Sequence, residues 1–345
     1  MDSSVLYSKT DDQINKMKSQ GLIVSDVSST KQRLQTYGYS SIVKSYRDPY
    51  VYIDESGKKK YRENVSFDQI YSLYVMDKNL RAGIFTAMLE MEEYIKNNAS
   101  EIISKDFGTE PDKYLNYRNY RDKARNKKFS LAKIIGDLKS TLNNSGKDPI
   151  KHYRDKYGIV PPWILFKGVY FSTIVNFVRD FKTAQLDQMA EKMYTIDNTF
   201  TLEDAKSLLI DTMFICNEYR NLCAHGGRTY NFENEATCRM FPNDTGIVLL
   251  LNILRKLKNP APFMIVNQSL TNVVNRHCSS FPQDVTYLGQ ILHMNIQLKE
   301  YAWISEKTKK IHRIPHCSGL QDAVQVEYTP DLLKQYRKCK RCIKE

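Results

Sequence analysis

Apolar residues recur with helical spacing through most of the chain. The clearest run lies between Ser66 and Gly108, where large apolar residues return every three or four positions. Ser66 and Gln69 form a capping-box pattern at its start, and Gly108 stands where a helix normally stops. We therefore expect one long helix here, or two helices joined near Asp77. The same spacing predicts further helices at 130–144, 161–182, 201–224 and 246–257.

Two segments depart from this helical pattern. Between Tyr50 and Glu63, two short runs of β-favouring residues flank a glycine-containing turn, which predicts a small hairpin. From about Tyr301 onward, short extended pieces alternate with prolines, histidines and cysteines. The expected fold class is all-α, with the hairpin and this tail as additions. The expected division is N-terminal helices and hairpin (1–64), a helical domain (65–300) and a Cys/His tail (301–345).

Composition and charge narrow the function classes. An apolar fraction of 41% over 345 residues is enough for a substantial core. The formal net charge of +12 favours polyanionic partners, such as RNA, DNA or an anionic membrane surface. The first residues lack the features of a secretion signal, and the longest apolar run, Ile247 to Leu254, is far shorter than the roughly 20 residues that span a bilayer. We expect a soluble, cytoplasmic protein with no membrane partner.

The stretch from Asn217 to Asn231 carries the strongest candidate chemistry. Gly226 and Gly227 follow His225 and predict a helix end there, because glycine takes the left-handed cap at no steric cost. Arg220 lies five residues earlier, about 140° around an ideal helix from His225. Histidine acts as a base or an acid near neutral pH, and arginine binds phosphate. These are the groups that metal-independent cleavage of RNA requires.

One histidine cannot comfortably serve as base and acid at once. A two-fold dimer that places two copies of Arg220 and His225 around one groove would supply both. The simpler alternative is a plain helix end, in which His225 caps carbonyl groups and Arg220 pairs with a carboxylate such as Glu218 or Glu90. Glu90 and Glu93 would share a helix face, where they could orient the Arg220 guanidinium.

A signature in this stretch resembles that of the bacterial abortive-infection proteins of the AbiD/AbiF type, which carry a HEPN domain. Its residues are Arg220, Asn221, Ala224, His225, Arg228 and Asn231. Three further stretches agree in order, and the agreement covers roughly Lys9 to Pro260. They contain Asp77 with Leu80 and Arg81, then Glu90 with Glu93, and then Pro162, Trp163 and Phe171.

The resemblance implies a HEPN-type helical bundle with an N-terminal helical extension, a homodimer, and RNA as substrate or ligand in defence against phage. It implies that Arg220 and His225 are catalytic and that Asn221 assists them; Arg228 and Asn231 belong to the same signature as supporting residues. The sequence departs from the family at Lys96-Asn97, Lys167 and Ser172, which affect packing or partner surfaces. Two alternatives stay open: a non-cleaving RNA-binding protein that forms a ribonucleoprotein with a small RNA, and a protein-binding toxin or antitoxin component.

A second candidate for RNA contact lies between Asn116 and Phe129. In this segment, cationic and aromatic side chains alternate along the sequence. Cationic side chains bind phosphate, and aromatic rings stack on unpaired bases. A solvated helix face is the alternative. The candidate residues are Tyr117, Arg118, Tyr120, Arg121, Arg125, Lys127 and Lys128.

The C-terminal tail offers a set of ligands that a structural zinc ion favours. The set combines Cys339 and Cys342, spaced as Cys-x-x-Cys, with Cys317 and His312. His316 is a rival to His312, and the sequence does not separate the two. The tail is too short to form its own core, so metal binding would supply folding energy. The alternative is a basic, disordered tail with incidental cysteines.

Overall fold

The computed structural model describes residues 7–124, 126–296, 298, 301–313, 317, 320 and 322–343. The chain divides into two compact units. The first contains Met1–Met76 and Asn272–Glu345, and the second contains Asp77–Thr271. The three-segment division expected from the sequence stays a prediction.

The first unit begins with two helices and the predicted hairpin. Helix α1 spans Thr10–Ser19, α2 spans Val27–Tyr37, and strands β1 (Val51–Ile53) and β2 (Lys59–Tyr61) pair antiparallel. The Oδ1 atom of Asp54 accepts hydrogen bonds from the backbone N–H groups of Ser56 and Lys58, so its side chain closes the turn.

Helix α3 is one continuous helix, Phe67–Phe107, which begins in the first unit and continues in the second. The Ser66 hydroxyl accepts a hydrogen bond from the Gln69 N–H at 3.1 Å, as the capping box predicts. The Gln69 side chain donates to Asp284 instead of returning to Ser66, so only half of the box forms. Gly108, with φ of +88°, follows the helix.

The second unit is helical, and α10 (Leu202–Ala224) contacts α8 (Phe171–Arg179), α9 (Thr183–Met193) and α11 (Gly246–Arg255) within it. One prediction was wrong: the helix expected over 161–182 is two helices. Val169 and Tyr170 take extended backbone conformations, and a Cβ atom at Gly168 would lie 2.5 Å from Ile150 Cδ1, so the chain turns where it packs closely. The other helices that follow α3 are α4 (Pro111–Tyr114), α5 (Leu131–Asn144), α6 (Ile150–Tyr157), α7 (Pro162–Leu165) and α12 (Ala261–Ser280), whose last residues belong to the first unit.

The described chain is mostly helical, as expected, but the first unit also contains a small C-terminal sheet that the sequence did not predict. Its strands β3 (Tyr301–Ser305), β4 (Lys310–His312), β5 (Ala323–Glu327) and β6 (Arg337–Lys338) have the order β5-β3-β4-β6, and of the neighbouring pairs only β4 and β6 run parallel. Ala302, Ile304 and Ile311 lie on one face and form a small core with Tyr336, so the expectation that the tail is too short for a core of its own was wrong. The helices of this part are α13 (Val285–Ile291) and α14 (Leu332–Gln335).

A buried hydrogen-bond network joins distant segments of the first unit. Asp284 accepts from the Tyr50 hydroxyl at 2.7 Å and from the Gln69 amide at 2.8 Å. The His277 ring lies between Asp284 and the Ser72 hydroxyl, with N···O distances of 2.8 and 2.9 Å. Because the groups are buried together, the network fixes these segments in one arrangement.

Among the helices of the described residues, none combines the length and the apolarity needed to cross a membrane.

Candidate functional site

The C-terminal end of α10 is a well-formed Schellman motif. His225 is the cap residue, and Gly226 takes the left-handed conformation with φ of +73°. The Gly226 N–H donates to Cys223 O at 3.2 Å, and the Gly227 N–H donates to Leu222 O at 2.9 Å. The helix therefore ends at a fixed point, and the predicted stop before the two glycines is confirmed.

Two side chains of α3 anchor the loop that leaves α10. Asp77 is completely buried, and its Oδ1 accepts from the Thr229 N–H at 2.9 Å, the Thr229 hydroxyl at 2.6 Å and the Tyr230 N–H at 2.8 Å. One turn further along, Arg81 donates to the carbonyl oxygens of Gly226 and Gly227. The backbone on either side of Gly227 is thus attached to α3.

Glu218, on α10 itself, anchors the next part of that loop. Its carboxylate accepts from the backbone N–H groups of Glu235 at 3.1 Å and Ala236 at 2.8 Å. Glu218 is therefore not the partner of Arg220, which was one alternative that the sequence left open.

The acidic partner of Arg220 is Glu92. The Nε atom of Arg220 lies 3.6 Å from Glu92 Oε2, and both atoms are buried without a hydrogen bond. The other oxygen of Glu92 accepts from Lys96 Nζ at 2.6 Å, and that ammonium also donates to Val169 O at 2.7 Å. Arg220, Glu92 and Lys96 thus form one charged cluster between α10 and α3, with a formal charge of one positive unit.

Sequence reasoning chose the wrong acids for this role. Glu90 and Glu93 are exposed, whereas Glu92 is largely buried. Glu92 lies four residues after Met88 and three before Ile95, which are both buried, so the helical phase turns it inward. The i,i+4 pairing of Glu92 with Lys96 beside those apolar positions was the signal that could have identified it.

His225 lies exposed at the end of α10, beside Asn221. The two residues line a shallow cavity of about 370 Å³, and its other lining residues are Leu222, Gly227, Phe232 and the acids Glu218 and Glu235. Within the described part of the chain, no hydrogen bond joins His225 to Arg220, and the Nη groups of Arg220 donate no hydrogen bond to a protein acceptor. One chain therefore presents Arg220 and His225 as separate groups. The supporting residues of the signature, Arg228 and Asn231, are half-buried in the loop that follows.

The basic segment, which we define as residues 116–129, shares a second cavity of about 650 Å³ with α10. Lys123 and Phe129 line one side of it, and Asp211 and Asn217 line another. The buried carboxylate of Asp180 accepts a hydrogen bond from the Lys123 N–H, which attaches the segment to the end of α8.

Most candidates in the basic segment are at the surface. Arg118, Arg121, Lys127 and Lys128 are exposed, and so is Tyr117. No continuous helix forms over the described part of 116–129, which contains two short 3₁₀ turns.

Tyr120 is a correction to the predicted contacts. Its side chain is buried, its ring packs on Phe177 and Phe181, and its hydroxyl donates to Tyr114 O. The ring therefore has no face available for an RNA base. Arg125 lies outside the described residues.

The predicted ligands in the tail come together. One ligand atom from each of His312, Cys317, Cys339 and Cys342 lies within 4.8 Å of the others. The Sγ atoms of Cys317 and Cys339 are 3.8 Å apart, and Cys342 Sγ is 3.6 Å from His312 Nδ1. These four residues could hold a metal ion. His316, the rival ligand, lies outside the described residues.

The surroundings of the cluster favour the forms that bind a metal. Burial raises the pKa of the Cys339 thiol, but hydrogen bonds from the N–H groups of Arg341 and Cys342 and contacts with neighbouring thiols outweigh it and lower that pKa overall. Burial, with Lys310 nearby, lowers the pKa of His312 and favours the neutral ring. A thiolate and a neutral imidazole are the states in which these side chains bind metal ions.

Residues 32–231 match the model of the Abi-like protein family, and they include both α3 and the Arg220 to Asn231 signature. The chain belongs to the Abi-like protein family. Membership confirms the resemblance to abortive-infection proteins and supports a role in abortive-infection defence. None of the curated proteins and none of the solved structures matches this Abi-like chain. The cluster of His312, Cys317, Cys339 and Cys342 lies outside the part that the family model covers.

Proposed function

We propose that this Abi-like protein acts in abortive infection as a metal-independent RNA endonuclease of the HEPN type, with Arg220, Asn221 and His225 as its catalytic residues. The observation that carries the proposal is the position of His225. It is exposed at a rigid helix end, beside Asn221 and within a cavity, in a member of an abortive-infection family.

The proposed reaction is an internal transfer at phosphorus. A neutral His225 accepts the proton of a 2′-hydroxyl, the 2′-oxygen attacks the adjacent phosphorus, and the bond to the 5′-oxygen breaks. The leaving 5′-oxygen takes a proton from a protonated histidine, so the products are a 2′,3′-cyclic phosphate and a 5′-hydroxyl. General acid and base catalysis each contribute about 10²- to 10⁴-fold in such reactions.

Arg220 would stabilise the negative charge that accumulates on the phosphorus centre. Glu92 holds only the Nε side of the guanidinium, at 3.6 Å, so the two Nη atoms remain available for phosphate oxygens. Lys96 balances Glu92, which leaves the charge of Arg220 uncompensated. The cluster is therefore suited to an anionic ligand.

A homodimer completes the proposed site. One chain supplies one suitable histidine at this helix end, whereas the reaction needs a base and an acid at the same time. A two-fold axis near the end of α10 would bring a second His225 to the same phosphate, and two-fold pairing is the commonest oligomer.

The second candidate function is RNA binding without cleavage, as the protein component of a ribonucleoprotein. The observation that favours it is the absence, within the described residues, of a hydrogen bond between Arg220 and His225 in one chain. The exposed cations of the basic segment would serve this function equally well.

Cleavage of RNA in EDTA by the purified full chain tests the proposal. We expect cleavage products with cyclic phosphate ends, and a loss of about 10²-fold or more in His225→Ala and in Arg220→Ala. His152→Ala, which removes another exposed histidine of the same unit, should cleave like the parent. If His225→Ala cleaves as fast as the parent, the proposed site is wrong. Tight RNA binding without cleavage would support the second candidate.

We further propose that the tail cluster holds a structural zinc ion. In a tetrahedral zinc site, two sulfur ligands are about 3.8 Å apart, and a sulfur and a nitrogen are about 3.6 Å apart. The distances of 3.8 Å and 3.6 Å in the cluster fit those edges. Elemental analysis should find about one zinc per chain, lost in the double variant Cys339→Ser/Cys342→Ser and kept in Cys278→Ala. Equal zinc in the parent and the double variant would refute the assignment.

A further inference from the structure

A cavity of the first unit lies between the end of α12 and the sheet, and none of the residues that line it is assigned above to catalysis or metal binding, although Trp303 pairs across the sheet with His312. Its volume is about 840 Å³, within the range that small-molecule sites occupy. Two arginines, Arg276 and Arg313, line it together with Tyr301 and Trp303. The ten described residues that line the cavity include no acid.

The pleat of the sheet explains why these aromatic residues face the cavity. Side chains of a strand alternate between its two faces, so Tyr301 and Trp303 lie opposite to Ala302 and Ile304, which form the small core. In the antiparallel register Gln325 pairs with Trp303, and it therefore stands on the same face. The sheet thus presents two aromatic rings and an amide to the cavity.

The cavity combines the three kinds of group that an unpaired nucleotide requires. Arginine binds phosphate, exposed aromatic rings stack on bases, and the amides of Asn272 and Gln325 can hydrogen-bond to base edges. An acidic peptide would use the arginines but would leave the rings without a role. The aromatic residues therefore favour a nucleic-acid ligand over a protein.

The rings are accessible at this face. Tyr301 is 38% exposed and Trp303 is half-buried, in contrast to the buried Tyr120 of the basic segment. The Arg313 guanidinium lies over the Tyr328 ring, with its carbon 5.4 Å from the ring centroid, and Tyr328 itself packs against the small core, so this contact keeps Arg313 close to the sheet. Glu327 pairs with Tyr301 and shares this face, but it does not line the cavity.

We infer that this cavity, formed by Arg276, Tyr301, Trp303 and Arg313, is a binding site for an unpaired nucleotide of single-stranded RNA. The inference rests on the proposed function for the kind of nucleic acid, and it adds a site in a different unit of the chain. The site would hold RNA through one or two splayed bases and their phosphates, while cleavage takes place at the end of α10.

Trp303 provides a direct signal for this site. The chain has two tryptophans, Trp163 and Trp303, so the full-length variant Trp163→Phe reports on Trp303 alone. His225→Ala is added so that the RNA stays intact. A single-stranded oligoribonucleotide of about ten nucleotides, a length within the range of single-strand sites, should quench the fluorescence to saturation. A duplex of the same sequence should bind at least tenfold more weakly, as measured by the concentration that gives half-maximal quenching.

Three substitutions in this background separate charge from stacking. Arg276→Ala should weaken binding about tenfold and reduce the slope of log affinity against log salt by about 0.7, because one phosphate contact is lost. Tyr301→Ala should also weaken binding about tenfold but leave the salt slope unchanged. Arg62→Ala removes an exposed arginine of the same unit that does not line the cavity, and it should stay within twofold of the background.

The outcomes separate failure of this inference from failure of the proposed function. If the wild-type chain cleaves or binds RNA while Trp303 fluorescence stays constant, only the nucleotide site is wrong. If the chain neither binds nor cleaves RNA, both proposals are wrong. If inorganic polyphosphate competes as well as RNA does and Tyr301→Ala has no effect, the cavity is an electrostatic surface only, which overturns the inference.

Discussion

The structure predicts that Asp77 holds the loop after His225 in a fixed conformation, although the two residues are far apart in the sequence. The carboxylate oxygen Oδ1 of Asp77 accepts three hydrogen bonds, from two backbone N–H groups and from one hydroxyl. Asp77 and Thr229 are completely buried, and Tyr230 is almost so. The substitution Asp77→Ala would leave all three donors without their acceptor.

The size of the effect follows from these contacts. A buried donor that loses its acceptor costs about 1 to 3 kcal/mol. Water can enter the space left by the carboxylate and the Thr229 hydroxyl can rotate, so we expect about 3 to 5 kcal/mol for Asp77→Ala in total. Asp77→Asn keeps an acceptor oxygen and removes the charge opposite Arg81, whose Nη1 lies 3.8 Å from Oδ2. We expect about 1 kcal/mol for that variant.

Amide hydrogen exchange of the peptide 226–231, read by mass spectrometry, measures this cost locally. A loss of 3 kcal/mol in opening free energy accelerates exchange by about a hundredfold, and a loss of 1 kcal/mol by about fivefold. Asp112→Ala removes an exposed carboxylate of the same unit and should leave this peptide unchanged. Equal protection in Asp77→Ala and the parent would refute the argument. A loss in Asp77→Asn as large as in Asp77→Ala would show that charge, and not the acceptor, holds the loop.

Three further predictions concern single features of the fold. Gly226→Ala should destabilise the end of α10 by about 1 to 2 kcal/mol, because its φ of +73° disfavours a Cβ atom, and hydrogen exchange of the last turn of α10 would report it. Asp284→Ala leaves three buried donors without an acceptor, so the urea midpoint should fall well below that of the parent, whereas unchanged unfolding would contradict the network. Burial raises the pKa of Cys216 and Cys223 to about 12, so at pH 8 only about one in ten thousand of these thiols is ionised. Iodoacetamide reacts with thiolates, so after zinc removal it should label Cys339 but not Cys216 or Cys223. Mass spectrometry of the labelled peptides would measure this difference.

The sequence predicted well those elements whose boundaries and type depend on residues close together in the chain. Helix α3 has a long periodic run of apolar residues, and α10 has a cap at Thr201 and two glycines at its end. The break after Gly168 depends instead on contact with Ile150, which lies on another helix. The C-terminal sheet was missed because its strands have only two to five residues, too short for a clear alternation.

The same distinction applies to the candidate sites. The tail ligands were predictable because Cys-x-x-Cys is a local pattern, and His312 and Cys317 then supply the remaining atoms. Tyr120 was misjudged because a tyrosine within a basic run has the same sequence pattern whether its ring faces solvent or the core. Only the packing of Phe177 and Phe181 against it decides the matter.

The pairing of Arg220 with Glu92 does not argue against a role in RNA chemistry. A carboxylate that occupied both Nη atoms would compete directly with a phosphate for the same donors. Glu92 instead lies at the Nε side, at 3.6 Å, which is too long for a hydrogen bond, and its other oxygen is held by Lys96. The attraction to Glu92 restricts the orientation of the Arg220 guanidinium, and the two Nη groups remain accessible. Arg220 is therefore oriented in advance for an anion and is not neutralised, and this is compatible with cutting RNA and with holding it.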